Sequence, residues 1–103
     1  MQKPRVFFVS HGGGPMPLLG DPSHADMVTC LESIAAKIKK PSAILMVSAH
    51  WEANPISITS SAAPELIYDY YGFPEPAYSI EYPSPGEPAL AEKVHQALAK
   101  ANI

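Results

Sequence analysis

Two apolar runs mark the first half of the chain, Val6–Ser10 and Ala43–Ser48; the first leads directly into His11 and the second, after Ala49, into His50. A run without polar alternation and partly β-branched has the pattern of a strand covered on both faces, the usual condition of strands in a parallel sheet. Between the runs, Met27, Leu31, Ile34 and Ile38 recur at helical spacing, which predicts a helix from Pro22 to Lys40. Asp21 can cap that helix with Pro22 at its first position, and Lys37, Lys39 and Lys40 stand at the negative end of its dipole before Pro41 ends it. Ile56–Ser60 alternates as a half-exposed third strand does. Pro88–Ala101 predicts a second helix, with Leu90, Val94, Ala97 and Leu98 on its buried face.

Strand, helix, strand is a βαβ start with two parallel strands whose carboxyl ends share one edge of the sheet. The expected fold class is therefore α/β. Ligands of such sheets bind just beyond those carboxyl ends, where His11 and His50 are expected to converge. A pair of histidines so placed has the form of a metal site; the alternative is that each imidazole caps its strand through backbone hydrogen bonds. His11 opens the segment His11-Gly12-Gly13-Gly14-Pro15, in which the glycines allow backbone conformations closed to other residues and clear space around whatever His11 holds.

The character of the chain changes over Ser61–Pro85. Tyr68-Asp69-Tyr70-Tyr71-Gly72-Phe73-Pro74, Tyr78 and Tyr82-Pro83 concentrate most of the aromatics in one proline-stiffened loop. Loops of this length serve as lids or walls of binding sites, or here as aromatic cover for a sheet edge.

Composition narrows the function. A chain of 103 residues with 47% hydrophobic content supports one domain with a modest core. At a net charge of -3 and with no basic stripe, neither nucleic acid nor an anionic membrane surface is an expected partner, which favours small-molecule chemistry. One cysteine, no apolar leader and no apolar run of roughly 18 residues lead to the expectation of a reducing, soluble compartment, the cytoplasm. Cys30 reads as packing and His95 as helix surface. His24, near the start of the first helix, reads as a solvated or capping residue or as one that supports a ligand or contacts substrate. No GxSxG, Walker A, GxGxxG or CxxC motif occurs.

Four motifs in order, His11-Gly-Gly-Gly-Pro15, Val47-Ser-Ala-His-Trp-Glu52, Tyr68-Asp-Tyr-Tyr-Gly-Phe-Pro74 and Tyr82-Pro-Ser-Pro-Gly86, resemble the N-terminal part of class III (LigB-type) extradiol ring-cleavage dioxygenases, in particular the DOPA 4,5-dioxygenase-like branch. The resemblance spans nearly the whole chain. It implies a three-layer sandwich around a central sheet with parallel N-terminal strands, and it implies that His11 and His50 are metal ligands. Family members are much longer, so residues 1–103 are expected to be the N-terminal part of a single catalytic domain whose C-terminal half is absent. The third ligand and the acid/base histidine come from that distal half in the family, leaving no catalytic residue in this chain.

The implied chemistry is extradiol opening of a catechol-type ring with O2 at non-heme Fe(II), with zinc as the other metal to consider. Gly13, His24, Trp51, Tyr70 and Phe73 are the expected pocket residues. Two other readings remain open, a non-enzymatic metal- or ligand-binding protein on the same scaffold and a zinc-dependent hydrolase. Surface left bare by the missing half is expected to promote self-association of the fragment.

Overall fold

The computed structural model describes residues 3–103, and among them the chain forms two α-helices and three short 3-10 turns but no strand. The expected α/β sandwich with its parallel N-terminal strands is thereby corrected. Val6–Ser10, Ala43–Ser48 and Ile56–Ser60 all lack regular structure, and the apolar side chains of the first two lie open, with Val6 94% and Val47 89% exposed. The physical reason is that a strand exists only through the ladder it makes with a neighbour. An apolar run records a tendency to be covered, but it does not say by what.

The helices follow local pattern more closely. Pro22–His24 is a 3-10 turn that leads into α1, Ala25–Lys37. Met27, Leu31, Ile34 and Ile38 are half-buried together with Val28, while the residues between them are exposed, so the spacing selected the correct face. The helix is shorter than expected at both ends. Ile38 is already extended at φ -109°, ψ 149°, and Lys39 and Lys40 therefore lie past the helix rather than closing it. Pro41 disfavours the helical conformation at Lys40 and favours an early exit.

Two compact units make up the chain. One joins the chain up to Lys39 with Tyr68–Ile80. Here the turn Met16–Leu19 packs against the turn Glu75–Tyr78, with Pro15 buried and Ala77 fully enclosed. The other unit joins Lys40–Ile67 with Glu81–Ile103 and contains α2, Pro88–Lys100. Pro88 occupies the first turn, where no N–H partner is lost, and Glu87 accepts the Ala89 N–H at 3.2 Å as a cap. Leu90, Ala91, Val94 and Leu98 form the half-buried stripe; Ala97, expected there, is exposed. Ile56, Ile58 and Ser60 line a shallow groove with Pro88, Ala91, Glu92 and His95. Among the described residues no helix is long and apolar enough to cross a membrane.

The entry to α2 depends on close backbone approach. Gly86 donates its N–H to the Ala62 carbonyl at 2.9 Å, and a Cβ at Gly86 would stand 1.9 Å from the Ser61 carbonyl oxygen. Backbone cannot yield as a flexible side chain does. Gly86→Ala is expected to separate these segments and lower the thermal midpoint, by an amount within the ~1–3 kcal/mol typical of overpacking. Amide exchange at residue 86 should accelerate with it; an unchanged exchange rate would show that the contact is dispensable.

Candidate functional site

The segment after His11 is shaped by glycines in two different senses. Gly12 and Gly14 have φ of 74° and 51°, in the left-handed region where a Cβ is penalised, and the Met16 N–H closes the turn onto the Gly13 carbonyl at 3.1 Å. Space is also lacking. A Cβ on Gly12 would lie 2.4 Å from the His24 Cδ2, and one on Gly14 would lie 2.8 Å from the Phe73 Cζ. Two side chains thus press on the loop where it has none of its own.

His24 makes a directed bond as well. Its Nε2 accepts the Gly13 N–H at 3.0 Å, and its Nδ1 lies 2.6 Å from the Asp21 Oδ2. Because a backbone N–H can only donate, Nε2 carries no proton in this arrangement, and Nδ1 carries it and donates to the carboxylate. Both side chains are about one-fifth exposed. Asp21, expected to cap the helix, spends its carboxylate elsewhere: it accepts from the Ser23 hydroxyl and the His24 ring, and makes no side-chain cap bond to the backbone. These two hydrogen bonds, Ser23 first, hold the Asp21 carboxyl below its ordinary value of 3.8. The stabilisation is fully present above that value and disappears as pH falls through the lower folded-state one.

Aromatic residues of the same unit form a cluster. Tyr70 and Phe73 meet edge to face at 5.3 Å between ring centroids, Tyr70 and Tyr78 approach to 5.4 Å, and Tyr68 stands 6.3 Å from both Tyr70 and Tyr78. The cluster pins its own backbone: the Tyr70 hydroxyl donates to the Ala77 carbonyl and the Tyr68 hydroxyl to that of Ile80. Crowding strips water from the Tyr70 phenol and, with Tyr68, Tyr78 and Asp69 nearby, raises it above its ordinary 10.0. It is therefore a neutral donor at neutral pH.

Gly13, His24, Tyr70 and Phe73 come together in the first unit, to which His11 also belongs. His50 and Trp51 belong to the second, with His50 in a turn where its N–H donates to the Ser48 Oγ at 3.2 Å. Neither His11 nor His50 stands at the end of a strand, because the strands expected to present them are absent among the described residues. Both imidazoles are exposed. A pair of imidazoles is a donor set that Fe(II) and Zn(II) both accept, yet it falls short of the three protein ligands usual for a catalytic metal. Among the described residues no group of three His, Cys, Asp or Glu is assembled to hold an ion. Pattern reasoning missed the Asp21–Ser23–His24 network and the part played by Tyr78. The Asp-Pro-Ser-His spacing held the signal for the network, since residues three apart face one another across a tight turn.

Residues 5–103 match the family model of the catalytic LigB subunit of aromatic ring-opening dioxygenase, and the chain belongs to that family. Among curated relatives, it is 44% identical over 93 residues to "Dioxygenase tasH" of Hapsidospora irregularis, covering 84% of this chain and 29% of the relative. It is 42% identical over 96 residues to "4,5-DOPA dioxygenase extradiol" of Beta vulgaris, covering 91% of this chain and 35% of the relative. The protein of the same name from Escherichia coli (strain K12) is 36% identical over 94 residues, covering 91% and 33%. The chain thus spans about a third of the length of these relatives. No solved structure matches it.

The network has a direct test in Ser23→Ala. Removing the hydroxyl takes away the leading cause of the depressed Asp21 value, so the carboxyl titration followed by NMR should move up toward 3.8. An unmoved midpoint would assign the depression to His24 alone.

Proposed function

We propose that this chain supplies the N-terminal, metal-binding part of an extradiol dioxygenase that opens a catechol-type ring with O2. The observation that carries the reading is that the four motifs fall in order inside a family match running from residue 5 to 103, with His11 at the head of the glycine loop. Two relatives named for extradiol cleavage of DOPA support a catechol as substrate.

In this reading His11 and His50 bind the metal through neutral imidazole nitrogens, with Fe(II) as the ion and zinc as its competitor. The ion, when bound, supplies open coordination positions at which a catechol and O2 are brought side by side. Gly13 lets the backbone pass close to the bound ring, and Phe73, Tyr70 and Trp51 contribute apolar wall. The third ligand and the acid/base group come from outside these 103 residues. The protein acts in the cytoplasm, and neither nucleic acid nor a membrane is a partner.

A polypeptide of the relatives' length carrying this chain should consume O2 with a catechol and Fe(II) and give a yellow ring-opened product. His11→Ala or His50→Ala should lower that rate by about a hundredfold or more, the upper end of what loss of even an outer-shell partner costs. The 103-residue chain alone should bind Fe(II) weakly and form no product. Robust turnover by the short chain would contradict the assignment of roles. A long chain that binds metal but takes up no O2 would favour the binding-protein reading.

The same reading covers self-association. Val6, Met46, Val47, Ile56 and Ile67 are each more than two-thirds exposed, at 94%, 77%, 89%, 69% and 73%. Apolar surface of that kind in one small chain favours association. Sedimentation velocity at high micromolar concentration should show oligomers that dissociate on dilution, and a strictly monomeric chain would refute the expectation.

A further inference from the structure

We infer that His24 is a positioning residue for the loop that begins at His11, and that it works by accepting the Gly13 N–H at its Nε2. The geometry is specific on three sides. The acceptor bond is 3.0 Å long, the opposite ring nitrogen is held by Asp21 at 2.6 Å, and the ring lies where a Cβ on Gly12 would be 2.4 Å from it. Asp21 orients the ring and selects the tautomer whose Nε2 is bare; the ring then fixes a glycine that cannot fix itself. Met27, in the first turn of α1, backs the neighbouring Gly12, with its Cε 3.3 Å from the Cβ position there. The loop is thus tied to the start of α1, and His11 is two residues from the tie. His24 itself touches neither substrate nor metal in this account.

The consequence for metal binding rests on the ligand reading proposed above; the hold on Gly13 does not, and the two are measured separately. In the 15N-labelled 103-residue chain, His24→Ala should raise the Gly13 amide exchange rate at least about tenfold while the α1 amides keep their protection. Co(II) affinity, read from its absorption bands, should fall by about 10- to 100-fold, the usual effect of removing a group that orients a ligand. His24→Gln is the decisive partner, because its amide oxygen reaches the place of Nε2 and can accept the same N–H. It should restore both Gly13 protection and Co(II) affinity to within about twofold of wild type, which a role in packing alone does not predict.

The inference is overturned if Gly13 exchange is unchanged in His24→Ala, or if His24→Gln, with α1 protected, leaves Gly13 as exposed as alanine does. Should His24→Ala unfold α1, the glutamine variant alone decides by the same criterion. His11→Ala serves as the control on the ligand reading. If that variant binds Co(II) as wild type does, the metal assignment falls, and the Gly13 exchange ratio still decides whether His24 holds the loop.

Discussion

Three consecutive glycines have no side chains with which to hold a shape, so the conformation of Gly12–Gly14 is imposed from outside. His24 does so by accepting the Gly13 N–H at 3.0 Å while Asp21 holds the far side of the ring. A free glycine loop loses more conformational entropy on ordering than any other sequence of its length. One directed bond, backed by Met27 and Phe73 where a Cβ would otherwise stand, offsets part of that cost. The arrangement also makes a single substitution here costly: any side chain on Gly12 or Gly14 would meet both a left-handed φ and an occupied space.

From this clamp the rest of the first unit can be followed outward. Phe73 packs on Gly14 and edge to face on Tyr70, which in turn lies 5.4 Å from Tyr78. The Tyr68 and Tyr70 hydroxyls are turned to backbone carbonyls of their own segment, so the aromatic loop is self-stapled. A loop rich in tyrosine would ordinarily gain little by ordering, but here the Tyr68 and Tyr70 rings contribute contact and their hydroxyls satisfy carbonyls. Order in the aromatic segment and order in the glycine loop therefore support each other.

What the sequence revealed depended on the range over which each signal acts. Helical spacing is local, and Met27, Leu31, Ile34 and Ile38 did mark the covered face of α1. Strand pairing is not local, and the runs around Phe8 and Met46 do not form the sheet that their composition suggested. Motif order identified the family, which the match over residues 5–103 establishes. His24 was legible only as one of several pocket residues, because its partner Gly13 is eleven positions away and a backbone N–H leaves no mark in sequence. Asp21 was misread for a similar reason: Asp before Pro is a common cap, and only the fold shows its carboxylate turned to Ser23 and His24.

On the reading proposed above, His11 and His50 take up the same metal ion, and the clamp bears on the first of them. Mn(II) broadens the resonances of nuclei near it and can be added in small fractions of an equivalent to the 15N-labelled 103-residue chain. The predicted result is that amides around His11 and Gly13 and those around His50 broaden together, at the same Mn(II) fraction, and that His11→Ala abolishes the effect at both places. Broadening around only one of the two histidines, or broadening confined to carboxylates such as Asp21, would contradict a shared site.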